Sequence, residues 1–89
     1  MKLRIAKEED ANRAVLFSGN LRFMLDNGPI NRAELARRID VSANTVGMYA
    51  LGRIFPSEER IEQIANALGC TVEELFDDTY APWKFGQNN

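Results

Sequence analysis

Between Gly28 and Glu74 the chain alternates helix starts with helix stops, and that punctuation constrains the fold more than any other feature. Asn31 followed by Glu34, and Thr71 followed by Glu74, have the spacing of a capping box, in which a cap side chain takes a backbone donor and the glutamate reaches back. Ser42 stands just before ANTVGMYA, and Ser57 follows Pro56 and precedes Glu58 and Glu59, whose charges suit the positive end of a helix. Gly28, Gly52 and Gly69 supply stops, because glycine takes the left-handed conformation after a last helical turn without a side-chain clash. Helices are therefore predicted at about 18–27, 32–39, 43–51, 58–68 and 72–77, and only Leu3 to Ile5 looks β-like.

The apolar positions agree with this reading. Phe17, Leu21, Met24 and Leu25 line the first helix, Leu35, Ala36 and Ile39 the second, and Val46, Tyr49 and Ala50 the third. Ile61, Ile64, Ala65 and Leu68 follow the i, i+3, i+4, i+7 pattern that buries one stripe of a helix. The expected architecture is an all-α, compact five-helix bundle spanning 17–77, with a charged leader at 1–16 and an aromatic tail at 78–89. Lys7 to Leu16 has the composition of an added helix.

Composition excludes several classes of function. At 89 residues the chain has room for one core. With no histidine and a single cysteine, Cys70, neither a zinc constellation nor an internal disulfide can form, and a reducing, cytoplasmic setting is expected. No apolar run approaches the roughly 18–20 residues of a membrane span, and no secretory leader is expected. Carboxylates cluster at helix starts, where capping accounts for them, so the expectation is a non-enzyme with no metal, cofactor or evident small-molecule ligand.

Ile30 to Arg53 reads as a short helix, a turn of about three residues and a second short helix, which is a helix-turn-helix. Small Ala36 suits the close approach of two steeply crossing helices, Asp40 occupies the turn, and Val41 plugs the gap between them. Glu34-Leu35-Ala36, Val41-Ser42, Thr45-Val46 with Tyr49, Gly52-Arg53, Pro56-Ser57 and the closing run IANALGCTVEELF together resemble the Cro and repressor type helix-turn-helix family. The resemblance runs from about Phe17 to Phe76 and implies a lambda repressor-like DNA-binding domain.

What it implies about function is a sequence-specific regulator of transcription. It would be a repressor of phage or mobile-element type that binds double-stranded DNA as a homodimer on a two-fold operator, with helix 43–51 in the major groove. On that helix Ala43, Asn44, Gly47, Met48 and Leu51 would face outward, because Val46, Tyr49 and Ala50 face the core. The amide of Asn44 matches adenine N6 and N7, Ala43 and Met48 offer apolar contact to a thymine methyl, and Thr45 is within reach of a base or phosphate. Gly47 costs about 1 kcal/mol inside a helix and lets the backbone approach the bases. Asn31, Arg32, Ser42 and Arg53 are the expected phosphate contacts, with Arg22 a weaker candidate. Arg37 and Arg38 read as a solvated face.

Three departures from the family pattern stand out. An arginine and a glutamate that many members pair between the first and third helices fall, on this spacing, at Leu25 and Ala50, both apolar. Asp40 holds the turn position usually given to glycine. Leu51, Phe55 and Glu58 replace polar or basic residues, so the outward face of helix 43–51 is poor in Arg, Lys and Gln. That poverty supports an alternative, a protein-interaction module of antitoxin-like or anti-repressor type in which Ala43, Gly47, Met48 and Leu51 contact protein.

The net charge of −2 averages two unlike halves. Residues 1–53 hold nine basic and six acidic side chains, whereas residues 54–89 hold two basic and seven acidic. The helix-turn-helix lies in the basic half. Tyr80, Trp83 and Phe85 in the tail need cover, from their own bundle or from a second subunit.

Overall fold

The computed structural model describes the backbone of residues 2–77 and the side chains of residues 12–77. Within them lie five helices and no strand: α1 (Lys2–Asn27), α2 (Arg32–Ile39), α3 (Ala43–Ala50), α4 (Glu58–Leu68) and α5 (Val72–Leu75). The first helix starts well before the expected residue 18 and includes Leu3 to Ile5. No proline precedes Pro29 and no glycine precedes Gly19, so nothing in the leader interrupts a helix once it has formed. The tail aromatics Tyr80, Trp83 and Phe85 lie outside the described residues.

Each short helix begins on a side-chain oxygen. Asn31, Ser42, Ser57 and Thr71 accept from the backbone N–H groups of Glu34, Thr45, Arg60 and Glu74 respectively. At Thr71 the box closes, since the Glu74 carboxylate also accepts from the Thr71 backbone at 2.8 Å. At Asn31 only half of the expected box forms. Glu34 binds two arginines of its own helix instead, because charged donors one turn away compete well against a single neutral amide.

The stops divide in the same way. Gly52 and Gly69 take left-handed backbone, at φ of 77° and 75°, and Asp40 does so at the end of α2 with φ 61°. Gly28 does not. Its amide donates to Met24 O at 2.7 Å, and a Cβ on Gly28 would run into that same carbonyl, so glycine is required there by space. At Gly69 a Cβ would meet nothing within 4 Å, so only backbone strain opposes a side chain. Gly69→Ala is accordingly expected to cost about 1–2 kcal/mol in urea unfolding, with far-UV circular dichroism unchanged.

The core gathers the predicted stripes: Phe17, Leu21 and Leu25 from α1, Leu35, Ala36 and Ile39 from α2, Val46, Tyr49 and Ala50 from α3, Ile61, Ile64, Ala65 and Leu68 from α4, and Leu75 from α5. Fully burying each large aliphatic side chain is worth about 1.5–3 kcal/mol. Phe17 also stacks on Phe76 and meets the edge of Phe55, and Arg13 lies over the Phe76 ring at 4.1 Å.

The carboxyl ends of the short helices are satisfied from elsewhere in the fold. Arg60 of α4 donates to Ile39 O at the end of α2 at 2.6 Å, and Arg22 of α1 donates to Ala50 O at the end of α3 at 3.3 Å. Arg38 of α2 reaches Ala67 O near the end of α4 at 3.4 Å. Asn20 of α1, buried at 1% exposure, donates to Leu75 O at 2.9 Å and Asp77 O at 3.2 Å, beyond α5. The last turns of α3, α4 and α5 carry no basic residue of their own, so other helices supply the donors that the negative ends of their dipoles favour.

Candidate nucleic-acid interface

The turn between α2 and α3 is built from three backbone decisions. Asp40 turns left-handed and returns its N–H to Ala36 O, Val41 N donates to the same carbonyl at 3.0 Å, and Ser42 restarts the helix by accepting from Thr45 N at 3.0 Å. An aspartate manages the left-handed step because its short polar side chain lowers the usual penalty. Ala36 is buried and Val41 packs half-buried against the core, so the two helices are held in one crossing geometry.

On α3, Val46, Tyr49 and Ala50 point inward as expected, while Ala43 and Asn44 are exposed and Met48 is half-buried. The Asn44 amide has no hydrogen-bond partner among the described residues and is open to a ligand. Thr45 is partly withdrawn, because its hydroxyl sits 2.9 Å from the Ser42 hydroxyl at the helix cap. Leu51, just past the helix, is 60% exposed.

Gly47 differs from its expected exposure. It is buried, and what covers it is Arg32: a Cβ on Gly47 would lie 3.4 Å from Arg32 Nη1 and 3.9 Å from its Cδ. The missing side chain thus makes a seat for an arginine that starts on α2, which laterally extends the charge of the α2 amino end across the middle of α3. A glycine inside a helix next to a long cation at the start of the preceding helix is the sequence signal for this contact.

Leu25 and Ala50, the positions where the arginine–glutamate pair of other members falls, are both buried in the core. Leu25 is a core residue, and the side chain that reaches position 50 is Arg22, one helical turn earlier. With Ala50 offering no carboxylate, Arg22 takes the Ala50 carbonyl instead. Leu25 belongs to the apolar stripe of Phe17 and Leu21, and Arg22 reaches α3 from beside that stripe.

Charge on this face is sorted by partner. The Glu34 carboxylate binds Arg37 Nη2 at 2.5 Å and Arg38 Nε at 2.8 Å. Hydrogen bonds from Arg37 first, then Arg38, hold its carboxyl down at about 2, so it stays ionised through any physiological pH. Arg13, Arg22, Arg37, Arg38 and Arg60 are all engaged within the fold. Among the described side chains, Arg32 and Arg53 remain without an acidic or carbonyl partner, and they flank α3 in sequence. Asn31 keeps its amide on the α2 cap, and Ser42 keeps its hydroxyl on the α3 cap.

A helix-turn-helix with a capped second helix, an exposed amide and flanking cations is a DNA-reading arrangement. The sequence profile described as helix-turn-helix matches residues 30–75, 46 of the 89 residues, and the chain belongs to this family of Cro/CI-type repressors, which are DNA-binding regulators. Comparison with curated proteins and with solved structures finds no significant match. No helix among the described residues is long and apolar enough to cross a membrane.

Proposed function

We propose that this chain is a sequence-specific repressor of phage or mobile-element type, working in the cytoplasm as a homodimer that occupies a two-fold operator. The observation that carries the reading is the combination on one motif of the open Asn44 amide with Arg32 and Arg53, two arginines that the described fold leaves without partners. Asn44 reads an adenine in the major groove, and Ala43 and Met48 favour thymine methyls beside it. Arg32 and Arg53 take phosphates, while the Ser42 and Asn31 caps present backbone donors at the amino ends of α3 and α2. Thr45 and Gly47 complete the face, the first by its partly exposed hydroxyl and the second by seating Arg32.

Fluorescence anisotropy on DNA selected from a random pool tests this. Asn44→Ala is expected to relax preference at one A·T pair, a change of about 1–3 kcal/mol at that position and near zero elsewhere. Arg53→Ala is expected to weaken binding to all sequences alike and to reduce the salt slope by about 1. Equal, uniform losses from both substitutions would refute the assignment of roles. Selected sites without two-fold symmetry would refute the dimer, and absence of salt-dependent binding at micromolar protein would turn the reading toward a protein-interaction module.

A further inference from the structure

The loop after α3 exposes what the rest of the fold buries. Residues 51–55, Leu-Gly-Arg-Ile-Phe, are all exposed, and Leu51, Ile54 and Phe55 stand between 43% and 60% open. Val15 of α1 is exposed beside them, since it lies one turn before Ser18, whose hydroxyl would meet a Cβ on Gly52 at 3.4 Å. Four of the five large apolar side chains exposed among the described residues therefore share one side of the molecule. The loop is also held in shape. Gly52 N donates to Tyr49 O at 3.1 Å and Arg53 N to Met48 O at 2.9 Å, Pro56 is buried, and the Phe55 ring packs on Phe17 and Phe76. A contiguous apolar patch on a fixed loop, rimmed by charge, has the character of a contact surface.

The charges on its rim identify the partner. Arg53 stands within the loop, and Glu58 and Glu59 stand exposed just past its far end, none of them ion-paired among the described residues. A two-fold axis through the apolar centre sets the basic end of one copy against the acidic end of the other, because in such a contact residue i meets j while j meets i. A partner of a single charge sign would be repelled at one end. The guanidinium carries five N–H donors, so Arg53 can hold a carboxylate on one edge and keep a phosphate on the other. Area sets the strength. The four apolar side chains expose roughly 400 Å², about half of the roughly 800 Å² that each partner buries in a standard interface, so the free protein pairs weakly. Two half-sites on one DNA raise the effective concentration and strengthen the pairing there.

We infer that two copies of the chain pair through this face, with Val15, Leu51, Ile54 and Phe55 of each at the centre and Arg53 of each against Glu58 and Glu59 of the other. The pairing rests on the homodimer reading above and names its surface. Because the loop starts where α3 ends, it brings the carboxyl ends of the two α3 helices together.

Sedimentation velocity on the full chain without DNA, from micromolar to near-millimolar protein at low salt, tests it. The unaltered chain is expected to pass from monomer to dimer as concentration rises. Ile54→Glu, which sets two like charges at the axis, is expected to stay monomeric throughout with far-UV circular dichroism unchanged. Should it lose helicity, Val15→Glu on α1 carries the same test. Glu58→Arg should weaken the dimer several-fold, and adding Arg53→Glu should restore it. A monomer at every concentration would overturn the proposal, as would a dimer indifferent to both apolar substitutions, which places the contact elsewhere. Charge changes without effect would overturn the pairing of Arg53 with Glu58. A dimer lost in Ile54→Glu, in a chain that binds no DNA, would uphold this surface and remove the DNA reading alone.

Discussion

Asn20→Leu is expected to lower the unfolding free energy by about 3 kcal/mol, although leucine has the same number and branching of side-chain heavy atoms as asparagine. The loss falls on the acceptors. Asn20 Nδ2 serves Leu75 O, Asp77 O and, at 3.4 Å, Glu74 O, and each buried polar group left unpaired costs about 1–3 kcal/mol. The four-residue α5 cannot hold itself together, because helices this short do not persist in water without tertiary support. Losing its terminal donor therefore loosens Leu75 and Phe76 from the core. For a domain of this size, 3 kcal/mol corresponds to a fall of roughly 12–24 °C in Tm. Calorimetry and urea titration measure it, and a change below about 1 kcal/mol would show that those carbonyls find water at no cost.

Leu35→Ala should cost a comparable amount, about 2–5 kcal/mol, through the cavity it leaves. Leu35 is fully buried in α2, the helix that packs on both α3 and α4, and its neighbours are anchored at helix ends by Arg60 and Arg22, which limits how far they can collapse into the void. Total stability for a chain of 89 residues is about 4–13 kcal/mol, so the variant is expected to be partly unfolded at 37 °C. DNA binding should fall with the folded fraction and recover on cooling toward 15 °C. A Leu35→Ala chain that stays fully folded yet fails to bind would contradict this account.

The parts of the fold legible in sequence are those set by local chemistry. Ser42, Ser57, Thr71 and Asn31 each cap the helix predicted from them, and Gly52, Gly69 and Asp40 turn left-handed where the spacing required it. What escaped sequence reading is decided by competition for a group among neighbours, or by contacts between packed helices. Glu34 has the spacing to complete a capping box, but Arg37 and Arg38 outbid the backbone amide for it. Gly28 looks like Gly52 and Gly69 in sequence, yet it answers to the Met24 carbonyl and not to φ. On α3, the inward set Val46, Tyr49 and Ala50 followed from helical period alone. The cover over Gly47 did not, because it depends on the crossing of α2 over α3. The same holds for Arg22, whose contact with Ala50 joins residues 28 apart.

The exchange of donors among helix ends has a consequence for modularity. Residues 30–53 look like a self-contained cassette, two helices and a turn, yet the groups that close α2 and α3 at their carboxyl ends, Arg60 and Arg22, both lie outside it. Transplanted to another scaffold, the cassette would leave the Ile39 and Ala50 carbonyls without these donors, and α3 without the support that fixes its tilt. The motif therefore moves as a block only together with one position on each of its flanking helices.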